Sequence, residues 1–404
     1  MDSVIVVVFL LVYLGMVLGR LPGLALDRTG VALLGAISLV AAGRVTPQDA
    51  WRAVDVSTVA LLFGLMVISA QFRLGGMYAA VTRKLSQSVA SPERLLIVVI
   101  GSAAALSALL ANDVVCLAVA PLIVEACARR GLRPMPFLLA LACASNVGSA
   151  ATLIGNPQNM LIGQALRVSF PGYLLDGVPP AVAGCAVIWV IIRRQARDSR
   201  LEAPERVHIH APEFNAWQTA KGGVVLFAVI LCFLFSDWPR EVVALAGAGL
   251  LLMSRRMHSR VMLALVDWHL LVLFFGLFVV NDALTASGAL RQATGAIRNL
   301  GIDVSEPAWL FGATALLSNL VSNVPAVMLL LPTADHPQAG AVLALASTLA
   351  GNLFIVGSIA NIIVVDQAGR LGVHVSWKQH ARIGVPVTAA TLALAAGWLY
   401  LRSL

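Results

Sequence analysis

The chain has 404 residues, of which 59% are hydrophobic and 12% charged, with a mean hydropathy of +0.88. Soluble domains carry about 25% charged residues, which excludes a soluble globular chain, and disorder is excluded because it needs low hydrophobicity with high net charge. The net charge of +8 does not point to nucleic acid, since the Arg and Lys residues lie in short loops between apolar runs and are not gathered on one face. This is the composition of a polytopic membrane protein.

The first apolar run, 4–18, follows Met-Asp-Ser with no basic stretch and no small-residue cleavage site, so it reads as a retained span and not a cleaved signal. Crossing about 30 Å of hydrocarbon takes about 20 helical residues. Spans are expected near 3–19, 29–43, 54–72, 136–163, 174–192, 222–236, 241–254, 266–283, 340–365 and 384–401. Two further apolar stretches, 95–127 and 306–333, carry polar residues at their centres: Ala111-Asn112-Asp113 in one and Ser322-Asn323-Val324-Pro325 in the other. A straight span would leave these groups in lipid at several kcal/mol. A re-entrant hairpin that turns at mid-depth inside the protein avoids that cost. Asn112-Asp113 and Ser322-Asn323 are expected to cap the helices that leave the two tips, with Pro325 in a first turn.

The basic residues test this topology. With the N-terminus outside, 21 of the 28 Lys and Arg fall on the inner side, among them Arg20, Arg129, Arg130, Arg133, Arg193, Arg194, Arg206, Arg255 and Arg256. Only Arg44, Arg52, Arg167, Arg240, Arg291, Arg298 and Arg402 stay outside. That asymmetry is the positive-inside rule, and it holds only if both hairpins are re-entrant.

The chain then repeats itself. Val54-Asp55 with Leu62-Phe63-Gly64-Leu65 recurs 212 residues later as Val266-Asp267 with Phe274-Phe275-Gly276-Leu277. Leu110-Ala111-Asn112-Asp113 with Pro121 matches Val321-Ser322-Asn323-Val324 with Pro332. Leu141-Ala142, Ala144-Ser145, Gly155 and Asn159 match Leu343-Ala344, Ala346-Ser347, Gly357 and Asn361. Five spans and a hairpin make an odd number of crossings, so the second copy is upside down. The expected fold class is an all-α integral membrane protein of two inverted repeats, each with five transmembrane helices, a re-entrant hairpin and a broken helix. The first repeat is placed at 1–193, a cytoplasmic linker at 194–221 and the second repeat at 222–404. Inverted repeats of this kind are the architecture of many secondary transporters.

The broken helices carry the polar chemistry. One contains Ser145-Asn146-Val147-Gly148-Ser149-Ala150-Ala151-Thr152, then Gly155-Asn156-Pro157-Gln158-Asn159; its partner has Ser347-Thr348, Gly351-Asn352, Gly357-Ser358 and Asn361. Gly, Pro and several amides in mid-membrane point to an unwound stretch between two half-helices. The plainer reading of the Gly and Ser is close helix packing. Half-helix N-termini suit an anion, and unwound carbonyls and amides suit a small cation. The candidate site is therefore Asn112, Asp113, Ser145, Asn146, Thr152, Gly155, Asn156, Asn159, Ser322, Asn323, Gly357, Ser358 and Asn361.

Asp113 is the one carboxylate placed near mid-depth, because Glu125 lies roughly 18 Å further along a helix, and no Lys or Arg is placed at its depth. It is the candidate for taking up a proton or coordinating a cation; a permanently ionised helix cap is the alternative. Asp55 and Asp267 sit at equivalent span starts and Asp282 and Asp366 near span ends, and they read as interfacial caps. The five Cys, including Cys116 and Cys143 close to the candidate site, have no CxxC spacing and read as buried small hydrophobes. No HExxH, GxGD or GxxxxGK motif occurs, so the chain is not expected to be an enzyme and needs no cofactor. No metal is implied beyond sodium.

Taken together, Ala111-Asn112-Asp113 through Pro121, Ser145 through the Gly-Asn-Pro-Gln-Asn run ending at Asn159, and Ser322-Asn323-Val324-Pro325 resemble the ion transporter superfamily. That group holds the arsenite pump membrane subunit, NhaD-type sodium/proton antiporters, citrate transporters and divalent anion/sodium symporters. The resemblance covers almost the whole chain and is nearest to bacterial permeases with an arsenite-pump or citrate-transporter type of domain. It implies an elevator-type secondary transporter in a bacterial inner membrane, with Asn112, Asn146, Asn156, Asn159, Asn323 and Asn361 lining the site. The implied partners are a small anion, a proton or sodium as coupling ion and the lipid bilayer, with no nucleic acid. A homodimer is compatible with it, as is an ATPase partner in the arsenite-pump case. The symporters carry Ser-Asn-Thr at both tips where this chain has Ala-Asn-Asp and Ser-Asn-Val. The arsenite pump has an Asp in its first broken span where this chain has amides and hydroxyls. Anion transport, arsenite export and sodium/proton exchange all stay open.

Overall fold

A computed structural model describes residues 2–19, 25–87, 91–200, 213–254 and 257–404. Arg20, Arg206, Arg255 and Arg256 of the inner-side count, and 201–212 of the linker, lie outside the described residues. Ten helices run in sequence: α1 (Ser3–Leu18), α2 (Arg28–Ala41), α3 (Pro47–Ala53), α4 (Val56–Leu74), α5 (Met77–Gln87), α6 (Pro92–Leu109), α7 (Asn112–Arg129), α8 (Met135–Ser149), α9 (Pro157–Ala165) and α10 (Phe170–Arg197). Ten more follow in the same order of kind: α11 (Ala216–Phe235), α12 (Arg240–Leu252), α13 (Ser259–Leu263), α14 (Trp268–Ala286), α15 (Ala289–Arg298), α16 (Pro307–Val321), α17 (Asn323–Leu330), α18 (Ala339–Ala350), α19 (Ile359–Arg370) and α20 (Trp377–Ser403). Each helix of the first set has a counterpart ten places later, including the short α3 and α13. No strand occurs among the described residues.

Local chemistry starts many of these helices. Asp27 accepts from Gly30 N, Asp55 from Thr58 N and Asp267 from Leu270 N, and Ser376 with Gln379 forms a capping box. Asp55 and Asp267 are thus the matched caps expected from sequence. The helices α4, α6, α10, α11, α14 and α20 are each long and apolar enough to cross a membrane. Yet α6 turns back at Leu110, whose backbone is extended (φ −129°, ψ 157°), and α7 returns beside it. Length alone does not decide a crossing when a polar tip needs partners inside the protein.

The repeats exchange helices. α4 packs most extensively on α12, and its counterpart α14 packs on α2. A methyl added at Gly64 would sit 2.7 Å from the backbone of Ala244, and one at Gly276 would sit 2.5 Å from that of Ala32. These are the same contact made twice, since Gly64 matches Gly276 and Ala32 matches Ala244. Small residues let helix axes approach where no hydrophobic force acts between helices in lipid. With α1 and α11, these helices form one body. α6 to α10 and α16 to α20 form the other, joined by α6 on α8, α16 on α18, α7 on α19 and α10 on α20.

Candidate functional site

Four chain interruptions meet inside the second body. Between α8 and α9, Pro157 has no N–H to offer a helix and forces Asn156 into an extended backbone (φ −154°, ψ 161°), as residues before proline prefer. Asn156 then caps α9 by accepting from Asn159 N at 2.9 Å. Between α18 and α19 the chain makes a short 3-10 turn, Ile355–Gly357, and Ser358 is extended. The tip joining α6 to α7 docks on the first break, where Asn112 N donates to Gly155 O at 3.1 Å. The other tip turns at Ser322, a non-glycine residue at φ 77°. Such a conformation costs on the order of 1–3 kcal/mol and persists only where its surroundings enforce it.

The two breaks are stitched by the same bonds. Asn159 donates to the carbonyls of Thr152 (2.9 Å) and Ser149 (3.4 Å), seven and ten residues earlier. Asn361 donates to those of Phe354 (3.1 Å) and Gly351 (2.8 Å), again seven and ten residues earlier. The matched asparagines therefore hold the unwound segments open by satisfying their freed carbonyls.

Asn146 ties the repeats together. Its Nδ2 donates to Asn352 Oδ1 (2.9 Å) and Asn361 Oδ1 (3.1 Å), while its Oδ1 accepts from Ser358 Oγ (2.8 Å) and Asn112 Nδ2 (3.4 Å). Asn323 plays a related part at the other tip. In the orientation that satisfies both ends of its amide, it donates to Ser347 O (3.0 Å) and Gly357 O (3.1 Å) and accepts from Gln158 Nε2 (3.2 Å). Thr348 Oγ1 receives Asn156 (3.2 Å) and Gln158 (3.1 Å) and donates to Asn159 (3.3 Å). All of these side chains are buried. Around them Asn112 Oδ1, Asn319 Oδ1 and Asn352 Nδ2 are buried with no partner, two acceptors and one donor that a ligand could complete. An unmade hydrogen bond of this kind costs about 1–3 kcal/mol.

The structure thus gathers Asn112, Ser145, Asn146, Asn156, Asn159, Asn323, Ser358 and Asn361. Ser145 serves the tip, donating to Asn112 O and accepting from Ser107 Oγ. Gly155 and Gly357 contribute carbonyls. Thr152 spends its hydroxyl on Ala108 O at 2.6 Å, bracing the hairpin, and Ser322 contributes its backbone turn. Asp113 is partly buried in the first turn of α7, next to Asn112, and lies within electrostatic range of Asp267 at the start of α14. Cys116 and Cys143 are buried in the packed interior.

One expectation needs correction. Neither tip pair caps its helix: α7 and α17 both start with no side-chain cap bond. Asn112 lies inside the first turn of α7 and aims its amide at Asn146, while that of Asn323 is taken by α9, α18 and the second break. α19 also starts without a cap bond. Gln158, Thr348 and Asn352 belong to the cluster although they were not among the candidates; each lies inside a polar motif already noted, which was the signal available. Two buried groups gave none. Glu125 pairs with Arg129 at 2.7 Å and Arg83 at 3.8 Å, and His380 Nε2 lies 3.1 Å from Asn352 O. Arg83 and the Asn352 carbonyl come from elsewhere in the fold, while Arg129 is the i,i+4 neighbour of Glu125 on α7.

Inverted repeats, paired hairpins and two broken helices around a buried polar centre define a membrane transporter of the secondary type. A family model described as "Citrate transporter" matches residues 10–350, and the chain belongs to that family. An uncharacterized transporter of Mycobacterium tuberculosis (strain ATCC 25618 / H37Rv) is 32% identical over 406 residues, covering 93% of this chain and 94% of its own. The silicon efflux transporter LSI3 of Oryza sativa subsp. japonica is 27% identical, covering 92% of each chain. The inner membrane protein YbiR of Escherichia coli (strain K12) is 31% identical, covering 80% of this chain and 82% of its own. Among solved structures, the YdaH transporter of Alcanivorax borkumensis shares the fold at a TM-score of 0.62 and 13% identity, over 98% of this chain and 95% of its own. Membership of the ion transporter superfamily is thereby borne out, and the family and the relatives from Mycobacterium tuberculosis and Oryza sativa are named as transporters, not enzymes.

Proposed function

We propose that the chain carries a small oxygen-rich anion, an inorganic oxyanion or a carboxylate, coupled to protons or sodium, by elevator-type alternating access. The observation that carries this reading is the convergence of four helix N-termini, those of α7, α9, α17 and α19, on the Asn146–Asn323 cluster. Three of the four lack side-chain caps, which leaves first-turn N–H groups for a ligand. Each N-terminus carries roughly half a positive charge, and such ends bind anions. The site residues are the cluster named above, with no Lys or Arg among them, so recognition rests on neutral donors and suits a solute that must also be released. A family described by citrate and a relative named for silicon efflux both fit an oxygen-rich solute.

In this reading the first repeat is 1–193, the linker 194–221 and the second repeat 222–404, in a bacterial inner membrane with the N-terminus outside. Asp113 carries the coupling ion. Asp267 lies within electrostatic range of it, and because neighbouring carboxylates favour binding a cation the second reading is sodium/proton exchange. Uptake into proteoliposomes under an imposed pH or sodium gradient, screened over citrate, dicarboxylates, sulfate, arsenite, silicic acid and sodium, tests the reading. Gradient-driven accumulation of an oxyanion or carboxylate is expected. Movement of sodium against protons with no anion would overturn it in favour of exchange.

A further inference from the structure

The two repeats grip the second body differently, and the difference falls on a matched pair of arginines. Arg28-Thr29-Gly30-Val31-Ala32-Leu33 with Gly35-Ala36 recurs 212 residues later as Arg240-Glu241-Val242-Val243-Ala244-Leu245 with Gly247-Ala248. Each arginine is the first residue of its helix, α2 or α12. The neighbouring contacts are matched too: Thr29 Oγ1 donates to His269 O at 3.3 Å, and Ser57 Oγ donates to Glu241 at 3.2 Å, with Ser57 and His269 again 212 apart.

The arginines themselves are not used alike. Arg240 donates to Gly163 O at 3.3 Å and to Val168 O, the two carbonyls that flank the end of α9. Glu241 accepts from Gln164 Nε2 at 3.1 Å beside it. Arg28 instead donates to Met16 O at 3.2 Å, at the end of α1 within its own body.

The end of α19 has the same form as the end of α9. Val168 N bonds Gly163 O at 3.2 Å past Arg167 at φ 50°, and Val373 N bonds Ala368 O at 2.9 Å past Gly372 at φ 78°. The mates of the gripped carbonyls are therefore those of Ala368 and Val373. Contacts between the bodies follow the same asymmetry. α9, α16 and α17 pack on α4, α1 and α14, whereas α19, α6 and α7 make no comparable contact with α14, α11 and α4.

The end of the second body held in this structure is therefore that of α9, and the matching end, that of α19, makes no comparable contact with α2.

We propose that Arg240 and Arg28 are positioning residues of the transport cycle that act in alternation. Arg240 and Glu241 hold the end of α9 in the present state. Exchange of the repeats' conformations, which an in-plane pseudo-two-fold permits, releases them and brings Arg28 onto the carbonyls of Ala368 and Val373. This rests on the alternating-access reading above.

The test uses the full-length protein, reconstituted in liposomes with its native cysteines replaced. A cysteine at Val324 reports which side a membrane-impermeant thiol reagent reaches, and the disulfide pairs Q164C/E241C and T29C/G369C report the two grips. Both disulfides are expected to form in separate fractions of the population. Arg240→Gln shifts the ratio of the two accessible states about tenfold towards the T29C/G369C form, the size of a lost charged hydrogen bond; Arg28→Gln shifts it the opposite way, and Arg240→Lys restores part of the ratio. A purely structural role would lower the yield of folded protein without opposite shifts. If the tip is reached from both sides but the two variants move the ratio together or not at all, the alternating grip is overturned and the function stands. If the tip is reached from one side only, or T29C/G369C never forms while Q164C/E241C does, the grip is overturned, and in the first case alternating access falls with it.

Discussion

The two repeats agree where they build the site and differ where they act on it. Asn159 and Asn361 satisfy carbonyls seven and ten residues back in both breaks, and Gly64 and Gly276 make the same close approach. The tips do not match. The first carries Asp113 where the second has Val324, and α7 is 18 residues against 8 for α17. The first hairpin is also bound to its neighbour α5 through the buried Glu125, which reaches Arg83. Duplication supplied a symmetric polar cluster; Asp113 and Arg240, which break the symmetry, are the residues proposed above to take up an ion and to set which side is open.

The comparison can be broken or sharpened by substitution. The largest effect is expected at Asn146, whose amide bonds Asn112 of the first repeat and Asn352, Ser358 and Asn361 of the second. Asn146→Ala leaves the amides of Asn112, Asn352 and Asn361 short of a partner, and at about 1–3 kcal/mol for such a loss proteoliposome transport should fall by roughly 10- to 100-fold. Retained transport would mean that the cluster is only structural. The matched glycines come next. Gly64→Val and Gly276→Val each push a side chain into a backbone and should each cost about 1–3 kcal/mol, read as similar drops in thermal unfolding temperature; unequal drops would show that the two exchange contacts are not equivalent.

At the tips the effects should differ in kind. Asp113→Asn is expected to abolish pH or cation dependence of transport while the protein still folds, whereas Val324→Asn at the matching position leaves coupling intact. Unchanged coupling in the Asp113 variant would retire its role. The smallest effect belongs to Glu125→Gln. Its arginine partners are about half exposed, with side chains 44% and 52% accessible, so screening limits the loss to about 1 kcal/mol, measurable as faster proteolysis between α5 and α7 with transport retained.

Much of the architecture was legible in the sequence, because membrane burial imposes strong local rules. An apolar run must span, a polar centre within one must turn back or be sheltered, and positive charge marks the inner side. The repeat was legible as well, down to the matched Gly155 with Gly357 and Asn159 with Asn361. Cap chemistry at the tips was not. Asn112 and Asn323 have the composition of helix caps, but a tip amide can cap or reach across, and a partner on another helix decides which. Nothing local to His380 announces burial, since the carbonyl it meets lies 28 residues earlier; Glu125 has a local partner in Arg129, but the Arg83 that meets it lies on α5.

By itself the sequence determined a helical membrane protein of two inverted repeats with polar breaks in matching places, because hydrophobicity, charge bias and repetition are written residue by residue. Only the tertiary structure decided that Asn146 is the hub and that Arg240 but not Arg28 reaches across to the second body. Those outcomes depend on which helices the fold brings side by side, and no local pattern encodes that.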